Sequence, residues 1–242
     1  MSLRKAVRLA LQEVADAGKA PQMQRYMKSE MPFLGVSAGP RRTALKKVFA
    51  AHPLDGAPEW RRAVLELWRE AEFREERYAA IELSGYHRYR EHQTLYTVPM
   101  YEEMVVTGAW WDLVDEIATH RVGGLLAAFP DSMRPLMLQW AGQSDLWKRR
   151  TAILSQNRFK QRTDTALLFA CIEPSLSDND FFARKAIGWA LREYAKVSPS
   201  EVVRYVQAKG ISGLSRREAL KNIAIESTTP PAPPAPGPSA QG

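Results

Sequence analysis

A single cysteine, Cys171, stands in 242 residues. One thiol cannot close an internal disulfide, and it leaves no cysteine cluster for a metal. A lone free Cys is most often a small buried apolar residue, and a reducing cytoplasm suits such a chain. The four histidines, His52, His87, His92 and His120, show no metal-ligand spacing. No stretch approaches the ~18 to 20 apolar residues of a membrane span. The first twenty residues, MSLRKAVRLALQEVADAGKA, interleave apolar positions with Arg, Gln, Glu and Asp. They predict an amphipathic helix rather than a secretory leader, which needs an unbroken apolar core. Period-two alternation bounded by turn residues is missing too, so strands have no signal.

What is present is an ordinary globular composition, 45% hydrophobic and 25% charged, on a chain long enough to bury a substantial core. The net charge is +7 and the pI about 9.6. A basic balance points to an anionic partner, nucleic acid being the commonest. From Ser227 the chain reads STTPPAPPAPGPSAQG, without charge or any large apolar side chain. Such a segment predicts a disordered, partly polyproline tail. Residues 1–226 therefore form the expected single folded domain and hold all of the charge.

Apolar residues three and four apart recur in RRAVLELWREA, ERYAAIELSGYHRY, WWDLVDEIATH, RRTAILSQNRF, ARKAIGWALREYA and RREALKNIA. Breaks fall at Pro and Gly clusters, with Ser29, Asp131 and Ser200 as expected helix-start residues. The fold class is all-α. An Arg-x-small-apolar pattern begins at Arg42, Arg77, Arg150, Arg184 and Arg217, every 33–35 residues apart from one double interval. That gap leaves room for a divergent copy around WWDLVD. Helix pairs at this period predict an α-solenoid of HEAT-like repeats, curved, with one helix of each pair lining a concave face. An arginine at the same place in each lining helix would make that face a basic groove. The alternative is that these arginines are merely solvated helix-start residues.

On an ideal helix Trp110, Leu113, Val114 and Ile117 share one stripe, which predicts a core face. Trp111 sits about 100° away, and Asp115 lies one turn above it on the same flank. Asp112 points to the far side and is expected to be solvated. Packing against the next repeat would account for Trp111, and solvation or an arginine partner for Asp115. In FFARKAIGWALREYAK the apolar face is Phe182, Ala183, Ala186, Ile187, Ala190, Leu191 and Tyr194. Trp189 is displaced from it among Lys185, Arg192 and Glu193, where its ring is open to a cation, sugar or base. Arg150 is the reverse case, a charged residue on an apolar stripe. It calls for an anion: Asp115, a phosphate, or each in turn.

These segments carry a resemblance. WWDLVDEI, WKRRTAILSQ, FFARKAIGWALREYAK and LSRREALKNI, with YMKSEMPFLGV near the N-terminus, resemble the HEAT-like-repeat DNA alkylation repair enzymes, the alkylpurine DNA glycosylases of AlkD type. The likeness spans roughly residues 20 to 225. It implies that Trp111 and Trp189 flank the damaged nucleotide and that Asp115 is the catalytic carboxylate. It implies that Arg150, in a register shared with Arg149, contacts the DNA backbone at the lesion, and that Tyr26 lies near the DNA. Arg42, Arg77, Arg184, Lys185 and Arg217 are then expected to hold phosphates. The resemblance further implies a monomer acting on double-stranded DNA in the bacterial cytoplasm or nucleoid, with no metal and no cofactor. The implied reaction is excision of cationic N3- and N7-alkylated purines without base flipping. A HEAT-type scaffold that kept the groove and lost the reaction is the competing expectation.

Overall fold

The computed structural model describes residues 1–223. The proline-rich segment and the last residues of the expected 1–226 domain lie outside the described residues. Within them the chain is an all-α solenoid of helical repeats, without strands. Two helices, α1 (Leu3–Glu13) and α2 (Ala20–Met27), precede α3 (Ala38–Ala51). Pairs then follow: α4 (Gly56–Arg69) with α5 (Arg74–Ser84), and α6 (Val98–Gly108) with α7 (Trp111–Glu116). The chain continues through α8 (Gly123–Ala128) into α9 (Pro130–Ala141) with α10 (Leu146–Leu154). The last pairs are α11 (Thr165–Ile172) with α12 (Phe181–Ala195), and α13 (Pro199–Ala208) with α14 (Gly213–Ala219).

One helix of each pair forms an inner row. Helices α3, α5, α7, α10, α12 and α14 touch in succession. The outer helices supply much of the aromatic core, with Trp60 and Trp68 of α4 and Trp140 of α9 fully buried. Trp60 Nε1 donates to the Leu83 carbonyl of the inner row at 3.1 Å, and Trp68 Nε1 to the Thr107 hydroxyl of α6 at 2.8 Å. This distribution follows from repeat geometry, since each pair has an apolar face that a neighbouring pair must cover.

Helix starts are set by aspartates, but at other positions than expected. Asp145, Asp164 and Asp180 accept backbone N–H groups at the starts of α10, α11 and α12. A carboxylate there satisfies orphan donors and complements the helix dipole. Asp131 and Ser200 fall inside the first turns of α9 and α13, behind Pro130 and Pro199. Proline takes the first helical position, where its missing N–H costs nothing, so the cap falls two residues earlier, at Phe129 and Ser198. Ser29 caps no helix; its hydroxyl donates to the Met31 carbonyl.

Two local devices shape the middle of the row. Glu75, fully buried, accepts the backbone N–H groups of Leu34, Gly35 and Val36 at 2.9–3.0 Å. This ties the loop after α2 onto α5. Helices α7 and α8 are joined by a π-helical turn, Ile117–Val122, the kind of local widening that often marks a functional site. Just beyond it Gly123 meets the Ser155 carbonyl so closely that a Cβ would lie 2.4 Å from that oxygen.

Candidate functional site

Asp115 and Arg150 meet between α7 and α10. The Arg150 guanidinium donates from Nε to Asp115 Oδ1 at 2.7 Å and from Nη2 to Oδ2 at 2.8 Å. Its Nη1 donates to the Phe182 carbonyl at 2.6 Å. Arg150 is 5% exposed, and of the two expected anions Asp115 is the one it binds here. Burial pushes the Asp115 carboxyl above its ordinary range. Arg150 opposes that push without cancelling it, and Asp112 adds to it. The result is a carboxylate held rigidly by a planar fork, with both oxygens engaged.

The two displaced tryptophans stand on either side of this pair. Trp111 and Trp189, both half-buried, line one cleft of about 410 Å³ together with Asp115, Glu116, His120, Asn157 and Arg158. Tyr26 is 72% exposed and presents its ring edge-on to Trp111, 6.4 Å between centroids. Trp111 also forms a wall of a second cleft of about 300 Å³, lined by Met23, Met27, Tyr78 and Arg42. A third, of about 860 Å³, adjoins the central one through Asn157, Arg158 and Glu193. The central cleft thus shares walls with both of the others, Trp111 on one side and Asn157, Arg158 and Glu193 on the other.

Trp110 differs from its expected place. It precedes α7 in an extended conformation, φ −154°, so it is not on the Leu113–Val114–Ile117 stripe. Its ring reaches the packing from outside the helix, 5.1 Å from Phe182 and 6.3 Å from Trp147. Asp112 is likewise not solvated. It is 5% exposed at its side chain and binds Arg74 through both oxygens, at 2.5 and 3.1 Å, with the Tyr78 hydroxyl as a third donor. Arg74 begins α5 on the neighbouring repeat, and a flank judged from one helix alone does not reveal what stands opposite.

The repeat-start arginines have unequal surroundings. Arg42 and Arg217 are exposed, and Arg42 borders the second cleft. Arg77 lies over the Trp68 ring at 4.9 Å and donates to the Thr107 carbonyl, tucked between α4 and α6. Arg149 folds back onto the Gln143 and Ser144 carbonyls and onto Asp178. Lys185 pairs with Glu218 at 3.0 Å, and Arg184 is half-buried beside Gly213. Across the inner row runs a ladder of ion pairs: Arg41–Glu82, Arg74–Asp112, Arg150–Asp115, and Lys185 and Arg192 with Glu218. Much of the positive charge facing the groove is thus neutralised by the adjacent helix.

Sequence reasoning missed the mouth of the central cleft. Arg158 Nη1 stands 2.7 Å from His120 Nε2, and His120 Nδ1 is 3.2 Å from Glu116. Because a guanidinium only donates, Nε2 accepts and the ring proton faces Glu116. The polar spacing Asp112, Asp115, Glu116, Thr119 is itself a helical stripe and would have located this wall. The π turn that brings His120 to it has no comparable signature. Among the described residues no group of three His, Cys, Asp or Glu side chains is arranged for a metal ion, and no helix is long and apolar enough to cross a membrane.

Comparison with known proteins adds a family. The family model described as "DNA alkylation repair enzyme" matches residues 7–223. A solved structure described as "Predicted DNA alkylation repair enzyme from Enterococcus faecalis" is similar, with a TM-score of 0.78 and 27% sequence identity. The match covers 88% of this chain and 98% of that one. Comparison with curated proteins gives no match.

Proposed function

Because the chain belongs to the DNA alkylation repair enzyme family, we propose that it acts as a monomeric glycosylase on duplex DNA. It releases N3- and N7-alkylated purines by hydrolysis of the N-glycosidic bond. The observation that carries this reading is Asp115, a fixed carboxylate in the cleft that Trp111 and Trp189 line.

An alkylated purine carries positive charge and leaves as a neutral base once the C1′–N9 electron pair passes to its ring. No general acid is required. The sugar is left with oxocarbenium character, which a nearby carboxylate stabilises electrostatically. Water then adds to C1′ and passes its proton to bulk solvent. Both Asp115 oxygens are bound by Arg150, which suits a carboxylate acting through its field rather than as a free base. Arg150 accordingly positions Asp115, and a contact with the DNA backbone at the lesion is its second proposed role. Trp111 and Trp189 offer faces to the cationic nucleotide, each contact being worth about 0.5–2 kcal/mol. An open groove lets the base stay stacked, in contrast to enzymes that flip it into a pocket.

The test is release of free base from duplex DNA carrying 7-methylguanine. Release above the spontaneous rate is expected. Tight binding of the duplex without release would make the chain a DNA-binding scaffold instead.

A further inference from the structure

The cleft of about 860 Å³ lies beside the central one and plays no part in the chemistry above. One wall is the turn Asn157–Thr163, which joins α10 to α11; the other is the end of α12 with Lys196. The turn is built rather than loose. Gln156, 4% exposed, ties its two ends together: Nε2 donates to the Asp164 carbonyl at 3.0 Å, and Oε1 accepts the Asp164 N–H at 2.8 Å. Asp164 in turn caps α11. Lys160 takes the left-handed conformation, φ +53°, which is uncommon outside glycine and costs energy that the tied ends must offset. Arg158, at the inner edge, is held by His120.

This frame presents Arg158, Lys160 and Arg162, all exposed, to the cleft. Among the described residues none of the three has an ion-pair partner. They differ in this from Arg41, Arg74, Arg150, Lys185 and Arg192, each matched to a carboxylate of the next helix. Uncompensated cations on a fixed turn are what a phosphodiester strand needs, since every neutralised phosphate releases condensed counterions. The cleft shares Asn157 and Arg158 with the Trp111–Trp189 site, so a strand leaving that site runs directly past the turn.

We infer that the Asn157–Thr163 turn is a phosphate clamp, holding one strand of duplex DNA through Arg158, Lys160 and Arg162 beside the reacting nucleotide. The inference rests on the reading that the groove binds DNA. It adds a loop to the helix-start arginines as a source of phosphate contacts on this side.

The experiment compares two triple charge reversals of equal net charge. One is Arg158→Glu, Lys160→Glu, Arg162→Glu. The other, a control away from the cleft on α1, α4 and α13, is Lys5→Glu, Arg62→Glu, Arg204→Glu. Binding of an undamaged duplex is measured by anisotropy from 50 to 200 mM salt, with circular dichroism to verify folding and Arg158→Gln, Lys160→Gln, Arg162→Gln as a milder variant. The clamp variants should bind at least roughly tenfold more weakly at 100 mM salt. The slope of log affinity against log salt should flatten by up to about 2.7, at ~0.9 per phosphate contact. The control should stay close to wild type. Equal behaviour of clamp and control overturns this inference alone. No duplex binding by the wild type overturns the DNA reading and the clamp together.

Discussion

Replacing Asp115 by Asn keeps the shape of the side chain and removes its charge, leaving the Arg150 guanidinium 5% exposed without a counter-ion. Removing one partner of a buried pair costs about 3–5 kcal/mol. The Asp115 side chain is 15% exposed and opens onto a cleft, so water relieves part of that cost and about 3 kcal/mol is expected. At roughly 2–4 °C per kcal/mol for a chain of this size, the melting temperature should fall by about 6–12 °C. Thermal and urea melts followed by circular dichroism measure this. The cycle closes with Arg150→Met alone and with Asp115→Asn, Arg150→Met together. Because an apolar side chain can replace a buried pair at little cost, the double variant should recover about 2 kcal/mol over Asp115→Asn. A melt unchanged by Asp115→Asn, or a double variant no more stable than the single, would refute the view that these residues form one buried unit.

Three further expectations follow from the same geometry. Trp189→Ala should slow excision roughly 2- to 30-fold, the loss of one cation–π contact, while the melt stays near wild type. Unfolding would show that the ring belongs to the core. Excision should be lost on acidification at a pH above 3.8, because burial raises the Asp115 carboxyl and only its ionised form stabilises the cationic sugar. Stability is lost over a lower range of pH. Lys185 and Arg192 hold the Glu218 carboxyl below its ordinary 4.5, so its stabilisation is present at neutral pH and disappears only as pH falls further. An activity profile that follows the unfolding curve would contradict this separation. In Gly188→Ala the new Cβ would lie 2.4 Å from Glu218 Cβ and 3.0 Å from the Ser215 carbonyl. Overpacking of about 1–3 kcal/mol should loosen α14 and lower the melting temperature by several degrees; no change would contradict the close approach of α12 and α14.

Periodicity made the helices and the repeat legible because both are local: a 3.6-residue stripe and a recurring length need no knowledge of neighbours. The separation of Trp111 from the core stripe was readable for the same reason. Asp112 was not, because its fate depends on Arg74 in another repeat. Trp110 was misplaced by one helical position, since α7 starts a residue later than its apolar spacing suggests. The repeat-start arginines share a sequence position but face different neighbours: a tryptophan ring for Arg77, a carboxylate for Arg150, solvent for Arg42 and Arg217. The Asn157–Thr163 turn has no periodicity and could not announce itself, although its charges were in plain view.

Single-turnover release of 7-methylguanine by Asp115→Asn isolates the role of this carboxylate, at a temperature where the variant is fully folded and with the duplex saturated by protein. Duplex binding equal to or tighter than wild type and release near the spontaneous rate are expected. Release at the wild-type rate by a folded, saturated Asp115→Asn would contradict the assignment of the chemistry to this carboxylate.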